Sequence, residues 1–160
     1  MRWLITAVVS SLTTLFVGLA AAGGWFYWFH VETGGEQAAR AVLPDLAAKE
    51  IPAVFGYDYQ TVEHSMNEAY KMLTPAYRHE FAEGATEKIV PEARKREVVV
   101  QASVAGVGVM TAQRDSASVM VYLNRTVTDK SRQPVYDGSR LRVDYQRIRG
   151  KWLISYITPI

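Results

Sequence analysis

The sequence contains no cysteine, and this absence excludes several kinds of site at once. Disulfide bonds, thiolate zinc sites, iron–sulfur clusters and cysteine nucleophiles all require that side chain. The three histidines, His30, His64 and His79, also lack the spacings that hold a metal ion, such as HxH or HExxH. We therefore expect neither a metal site nor a cofactor.

A strong net charge is lacking as well. The 18 basic and 16 acidic side chains leave a formal charge of +2, with an isoelectric point near 8.9. Proteins that neutralise several phosphates carry a clustered basic face, so nucleic acid is not the expected partner. A length of 160 residues allows one ordinary domain and a short appendage, which excludes a multi-domain enzyme.

Charge is entirely missing from one long segment. The 27 residues from Trp3 to Phe29 contain no Asp, Glu, Lys or Arg. At about 1.5 Å per helical residue, they exceed the roughly 30 Å hydrocarbon core of a bilayer. The segment closes with five consecutive aromatic residues, a pattern typical of the headgroup boundary. We predict a transmembrane anchor over residues 1–30, with Trp3, Trp25, Tyr27, Trp28 and Phe29 as its interfacial residues.

The flanks of this segment indicate its orientation. Arg2 precedes it, whereas His30, Glu32 and Glu36 follow it, so the weak positive-inside bias predicts a cytoplasmic N terminus. The protein would then be a single-pass plasma membrane protein with residues 30–160 outside the cytoplasm. Ala20–Ala22 offer a cleavage site, so a signal peptide is the alternative, but the apolar stretch is longer than a signal h-region.

A linker is predicted at residues 31–35. The chain that follows it changes its hydrophobic period once, between residues 96 and 97. Residues 36–96 have helical spacing; Pro44 would interrupt the first helix, Thr61 or Asp58 would cap the second, and Pro75 would open a third. Residues 97–157 alternate in four runs: Val98–Met110, Ala117–Thr126, Arg140–Ile148 and Lys151–Ile157. The Arg149-Gly150 pair predicts a hairpin turn. The expected fold of residues 36–160 is α+β, with helices packed on a curved antiparallel sheet.

The sign of the net charge changes at almost the same place in the chain. Residues 30–97 hold 12 acidic and 8 basic side chains, a net charge of −4, and residues 98–160 hold 4 acidic and 9 basic ones, a net charge of +5. This asymmetry could orient the domain on a partner complex or against anionic headgroups, and a solvated surface is the alternative. The Arg94-Lys95-Arg96 cluster could likewise contact anionic lipid or form a solvated edge.

Seven short motifs, taken in order, resemble one family. They are Tyr57-Asp58-Tyr59-Gln60-Thr61, Leu73-Thr74-Pro75-Ala76-Tyr77, Val90-Pro91-Glu92-Ala93, Ala105-Gly106-Val107, Asn124-Arg125-Thr126-Val127-Thr128, Asp137-Gly138-Ser139-Arg140-Leu141-Arg142-Val143 and Gly150-Lys151-Trp152-Leu153-Ile154. From about Arg40 onward the chain is similar to the Mce-associated membrane proteins of actinobacteria, single-pass proteins encoded beside "mammalian cell entry" lipid importers. It departs from their usual pattern in its very short cytoplasmic N terminus.

The resemblance implies a nuclear-transport-factor-2-like cone of helices and bent sheet, tethered outside the plasma membrane. It also implies a non-enzymatic accessory subunit that assembles or stabilises an Mce-type lipid or sterol import complex. The implied partners are importer subunits or a related accessory protein, together with the bilayer. No catalytic residue follows from it.

An enzyme is the first competing hypothesis, because cone-shaped folds of this class also host isomerases and cyclases with an Asp or His in an apolar cavity. The candidates are Asp58, His64 and Asp144. Each also has a structural interpretation: Asp58 as a helix cap, His64 on a polar helix face, and Asp144 in a cross-strand charge pair.

Two further hypotheses concern binding and assembly. The side chains of Tyr122, Tyr145, Trp152 and Tyr156 could line a lipid or sterol pocket, although core packing also accounts for aromatic residues in alternating strands. Alternatively, the chain could be an inner-membrane scaffold of the type IV secretion kind, which shares the plan of one N-terminal anchor and an outward domain.

Overall fold

The computed structural model describes the backbone of residues 2–160 and the side chains of residues 3, 15–25, 27 and 33–160. Its helical elements are α1 (Arg2–Phe55), α2 (Val62–Tyr70), α3 (Pro75–Gly84), a π-helical turn (Ala85–Ile89) and α4 (Val90–Arg96). Its strands are β1 (Tyr57–Asp58), β2 (Val99–Ala112), β3 (Ser116–Thr128), β4 (Val135–Ile148) and β5 (Lys151–Pro159). The helices precede the long strands, so the predicted α+β class is confirmed.

The five strands form one antiparallel sheet in the order of the chain. The four predicted runs correspond to β2–β5, whereas the two-residue β1 is too short to show an alternation in the sequence. Register shifts along β2, and between β4 and β5 at Asp144, mark bulges that curl the sheet. Arg149 (φ 51°) and Gly150 (φ 80°) form the predicted two-residue turn.

The core lies between the sheet and the C-terminal part of α1. Five side chains of α1 recur every three or four residues and are at most 2% exposed: Ala39, Leu43, Ala47, Ile51 and Val54. They belong to one cluster with the inward residues of the strands, among them Val119, Val121 and Val143. We call the opposite side of the sheet the outer face.

Two glycines show how α1 lies along β2. A Cβ added to Gly35 would lie 3.1 Å from the Cα of Arg114, in the turn between β2 and β3. A Cβ added to Gly56 would lie 3.5 Å from the carbonyl oxygen of Val100, near the start of β2. The helix therefore enters the domain beside the β2–β3 turn and leaves it beside β1.

The two ends of the sheet are named from this path. The entry end carries the β2–β3 turn (113–115) and the β4–β5 turn (149–150). The N–H of Arg147, near the end of β4, donates a hydrogen bond of 2.8 Å to the Asp115 carbonyl in the first of these turns. The far end carries α4 and the loop 129–134, where the Lys130 N–H donates to the Arg96 carbonyl at 3.0 Å.

The helix α1 continues where the sequence predicts interruptions. It runs without a break through the predicted linker at residues 31–35 and through Pro44, and it also contains Pro52. Burial of its apolar stripe against the sheet offsets the helical cost of these residues. The close approach of Arg114 also explains why Gly35 carries no side chain. The division into residues 1–30, 31–35 and 36–160 stays a prediction, although the backbone of 31–35 is helical.

The predicted anchor falls largely on side chains outside the described residues, including Trp28 and Phe29. In the part of the chain that is described, no helix combines the length and hydropathy needed to cross a bilayer. The described side chains of the segment are exposed, at 91% for Trp3, 76% for Trp25 and 72% for Tyr27. The transmembrane anchor therefore stays a prediction.

The start of α3 matches its sequence signal and the start of α2 does not. The Thr74 Oγ1 accepts a hydrogen bond from the Tyr77 N–H at 3.4 Å, and Pro75 opens α3. At α2, Thr61 makes no side-chain cap, and Asp58 Oδ1 instead accepts from the Gln60 N–H at 2.9 Å. Asp58 belongs to β1, where it pairs with Val99, and its side chain contacts the turn that follows this strand. The predicted side-chain cap of α2 is therefore wrong.

Candidate functional site

The four aromatic residues of the predicted pocket lie in different surroundings. Tyr145 is 1% exposed and points into the core, whereas Tyr122 points to the outer face and is 49% exposed. Tyr156 is also partly exposed, and its ring centroid lies 5.2 Å from that of Tyr77 on α3. Trp152 is half-buried at the edge of the core cluster. The structure does not bring these side chains together, and a ligand for any of them stays a prediction.

An open groove of about 460 Å³ lies near the entry end of the sheet. Its lining is rich in hydroxyl and amide groups, and Asp144 is the charged residue among the residues that line it: Thr111, Gln113, Ser116, Ala117, Ser118, Asp144, Tyr145, Gln146 and Ser155. The groove can therefore offer hydrogen bonds as well as apolar contact.

A polar network joins β3, β4 and β5 beside this groove. The Ser118 hydroxyl donates to Asp144 Oδ1, and Arg142 Nε donates to the same oxygen at 3.0 Å. The Ser155 hydroxyl donates to the backbone carbonyl of Asp144 at 3.0 Å. Asp144 is thus paired with Arg142 along its own strand, and its cross-strand contact is Ser118 rather than a charged residue.

This network differs from a nucleophile activated by a base. A serine nucleophile needs an adjacent general base, most often histidine. His64 is exposed on α2, and His79 pairs with Glu83 at 3.3 Å on α3, so neither lines the groove. The catalytic candidates Asp58, His64 and Asp144 stand on β1, α2 and β4, and the fold does not assemble them into one site.

The structure shows a contact between Glu50 on α1 and Tyr145 on β4 that the sequence analysis does not predict. The Tyr145 hydroxyl donates to Glu50 Oε2 at 3.2 Å. Burial raises the pKa of Glu50 from 4.5 to about 7, against the opposing effect of this hydrogen bond. Burial and the nearby carboxyl also raise the pKa of Tyr145. The spacing from Leu43 and Ala47 places Glu50 on the apolar stripe, which is the signal that could have found it.

The basic cluster before the sheet is compensated by acidic neighbours at the far end. Arg94 pairs with Glu63 at 3.0 Å. Arg96 pairs with Asp129 at 2.8 Å and holds the pKa of that carboxyl at about 2. Since these pairs neutralise two of its three cations, the Arg94-Lys95-Arg96 cluster fits a solvated edge better than a lipid contact.

Sequence comparison finds relatives along the whole chain, while no family model matches it. The chain is 26% identical over 160 residues to the outer membrane protein Rv1973 of Mycobacterium tuberculosis, covering all of both chains. It is 24% identical over 156 residues to the uncharacterized protein Rv1362c of the same species, covering 93% of this chain and 69% of the relative.

Solved structures with the same fold have low sequence identity to the chain. An IcmL-like type IV secretion system protein of Legionella pneumophila superposes with a TM-score of 0.64 at 15% identity, covering 76% of this chain and 93% of that one. The periplasmic domain of DotI gives 0.65 at 12% identity, with coverage of 75% and 94%. CagV, a VirB8 homolog of the type IV secretion system of Helicobacter pylori, gives 0.59 at 10% identity, with coverage of 74% and 96%. These likenesses establish a shared fold.

Proposed function

We propose that this chain is a membrane-anchored, non-enzymatic accessory subunit that acts as a scaffold for a protein complex of the cell envelope. The observation that carries the proposal is the fold, which is also that of a type IV secretion system protein and of the periplasmic domain of DotI. An envelope location is further supported by a relative, similar over the full chain, that is named an outer membrane protein.

Anchoring through α1 is the first part of the proposal. The charge-free run from Trp3 to Phe29 and the exposure of the described apolar side chains at 15–25 support it. The N terminus is cytoplasmic, the chain crosses the plasma membrane once, and the domain lies outside. A phosphatase that is active only outside the cytoplasm, fused after Ile160, should be active in cells and remain in the membrane fraction after alkaline extraction. An inactive fusion, or one released by alkali, would contradict the anchor.

A scaffold role without chemistry is the second part. The mutual hydrogen bonds of Ser118, Asp144 and Arg142, and the separation of the candidate residues, support it. The substitutions Asp58→Asn, His64→Gln and Asp144→Asn should therefore leave the yield of the assembled complex within about twofold of the unmodified chain. Loss of cellular function with the complex still intact would indicate an enzyme instead.

The most specific part of the proposal concerns which complex the chain belongs to. The motif resemblance to Mce-associated proteins favours an Mce-type lipid or sterol importer, and the fold favours a scaffold of the type IV secretion kind as the second candidate. Purification of the tagged full chain from native membranes in mild detergent, followed by mass spectrometry, separates the two. Importer subunits and their permease are the expected companions. Secretion subunits in their place would favour the second candidate.

A further inference from the structure

We propose that the entry end of the domain is a contact surface for anionic phospholipid headgroups. The surface consists of Arg114 in the β2–β3 turn and of Arg147, Arg149 and Lys151 at the β4–β5 turn. The inference rests on the proposed anchoring through α1 and adds to it a lipid class and the residues that contact it.

The fold brings these four basic residues together from two turns. The Arg147 N–H donates to the carbonyl oxygen of Asp115, directly after Arg114, at 2.8 Å. The last pair between β3 and β4 is Ser116 with Gln146, and β4 continues beyond it. At about 3.3 Å per strand residue, the β4–β5 turn projects roughly 10 Å past that pair. The two turns therefore form the outermost part of the domain at this end.

Positive charge at the entry end is largely uncompensated. All four side chains are exposed, and Arg149 and Lys151 make no ion pair with any side chain that the structure describes. Arg114 approaches Asp115 only at 4.0 Å, with both side chains more than 60% exposed, and such pairs contribute little. The far end differs, since Arg94, Arg96 and Lys130 each have a carboxylate partner there.

The path of α1 places this charge next to the proposed membrane boundary. Gly35 packs directly on Arg114. Gly35 lies six positions after Phe29, the last residue of the predicted aromatic belt, which corresponds to about 9 Å of helix. This is close to the Debye length of about 8 Å at physiological ionic strength, so the basic residues would experience an anionic surface. Each such residue increases the binding constant for the anionic surface by about fivefold.

The test measures contact between the entry end and the bilayer in the full chain. Because the chain contains no cysteine, Gln113→Cys supplies a single thiol for a fluorophore in the β2–β3 turn, and Ser131→Cys supplies one at the far end. Each labelled chain is reconstituted into vesicles of phosphatidylcholine, with or without phosphatidylglycerol. All vesicles carry a trace of a lipid with a nitroxide on its headgroup, which quenches fluorophores near the surface.

We expect quenching of the label at position 113 to be at least about twofold stronger in the anionic vesicles, and to weaken with added salt. The double substitution Arg149→Gln/Lys151→Gln removes two of the four basic residues and should abolish most of this difference between anionic and neutral vesicles. The matched control Lys88→Gln/Lys95→Gln removes two exposed charges that do not belong to the entry end and should leave it unchanged. Quenching of the label at position 131 should be the same in vesicles with and without phosphatidylglycerol.

Three results would overturn the inference, and they differ in what else they affect. A chain that inserts into vesicles but shows the same quenching at position 113 in both lipids would contradict the headgroup contact and leave the anchored scaffold intact. An equal effect of the two double substitutions would indicate a response to net charge rather than a defined surface. A chain that fails to float with vesicles of either composition would overturn both this inference and the proposed anchor.

Discussion

At the scale of single residues, Glu50 links the stability of the domain to pH. Its carboxyl lies between α1 and β4, and burial raises its pKa from 4.5 to about 7. Below pH 4.5 the group is protonated in both the folded and the unfolded chain. Between pH 4.5 and 7 the unfolded chain loses this proton while the folded chain keeps it, so the free energy of unfolding decreases as the pH rises.

The substitution Glu50→Gln tests this. The amide keeps an acceptor for the Tyr145 hydroxyl and cannot ionise, so the variant should be more stable than the unmodified chain at pH 8. The gain should be about 1–2 kcal/mol, less than the shift alone implies because the carboxyl is partly exposed to water. Urea unfolding at pH 5 and pH 8 measures it. The exposed Glu87→Gln is the control, and an equal gain at both pH values would contradict the assignment.

Thr74 is a second residue whose side chain we expect to affect the stability of the domain, through the cap at the start of α3. Its Oγ1 accepts from the Tyr77 N–H and the residue is 4% exposed, so Thr74→Ala should destabilise the domain by about 1 kcal/mol. Thr74→Ser retains the hydroxyl and should recover most of the loss. Urea midpoints compare the two variants, and equal destabilisation by both would mean that the Thr74 methyl group, not the cap, is responsible.

Among the elements, the strands and α1 show where sequence-based prediction succeeds and where it stops. Alternation predicts β2–β5 because one face of each strand is buried, a local property. Local propensity predicts a linker at residues 31–35, but the helix continues there because contacts with the distant β2–β3 turn outweigh that propensity.

The candidate site also combines features that the sequence predicts with features that depend on non-local contacts. Alternation could already separate Tyr122, which lies between buried Val121 and Leu123, from the inward Tyr145. The pairing of Ser118 with Asp144 could not be predicted, since it depends on the register between β3 and β4. The compensation of charge at the far end depends on the same kind of non-local contact.

Two adjacent glycines of α1 allow a matched prediction. Gly34→Ala meets nothing within 4 Å and should stabilise the helix by up to about 1 kcal/mol. Gly35→Ala places its methyl group 3.1 Å from the Cα of Arg114, so the helix must shift away from the β2–β3 turn. The second variant should therefore be less stable than the first by about 1 kcal/mol or more, measured by urea unfolding. Equal gains would show that α1 does not pack on this turn.

In the molecule as a whole, the folded domain is expected to be independent of the first part of α1. The described side chains before Thr33 are exposed, and Ala39 is the first buried one among the side chains of α1 that the structure describes. Removal of residues 1–32 should therefore leave the thermal midpoint within about 2 °C of that of the full chain in the same detergent.

A deeper truncation provides the contrast. Removal of residues 1–43 also deletes the buried side chains of Ala39 and Leu43, and should lower the midpoint by more than about 10 °C. Both midpoints can be followed by circular dichroism. Similar losses for the two truncations would mean that residues 1–32 contribute to the stability of the domain.

The unbroken course of α1 from residue 2 to residue 55 also defines a rotational phase between its exposed and buried parts. Each residue of an α-helix turns the chain by about 100° and advances it by about 1.5 Å. Two alanines inserted after Gly34 would turn the domain by about 200° relative to the segment before it, whereas seven would return it to within about 20° of its original direction at a height roughly 10 Å greater. Where neighbouring helices hold the first segment, the number of residues in between sets the direction in which the outer face of the sheet points, and assembly would vary periodically with the length of the insertion.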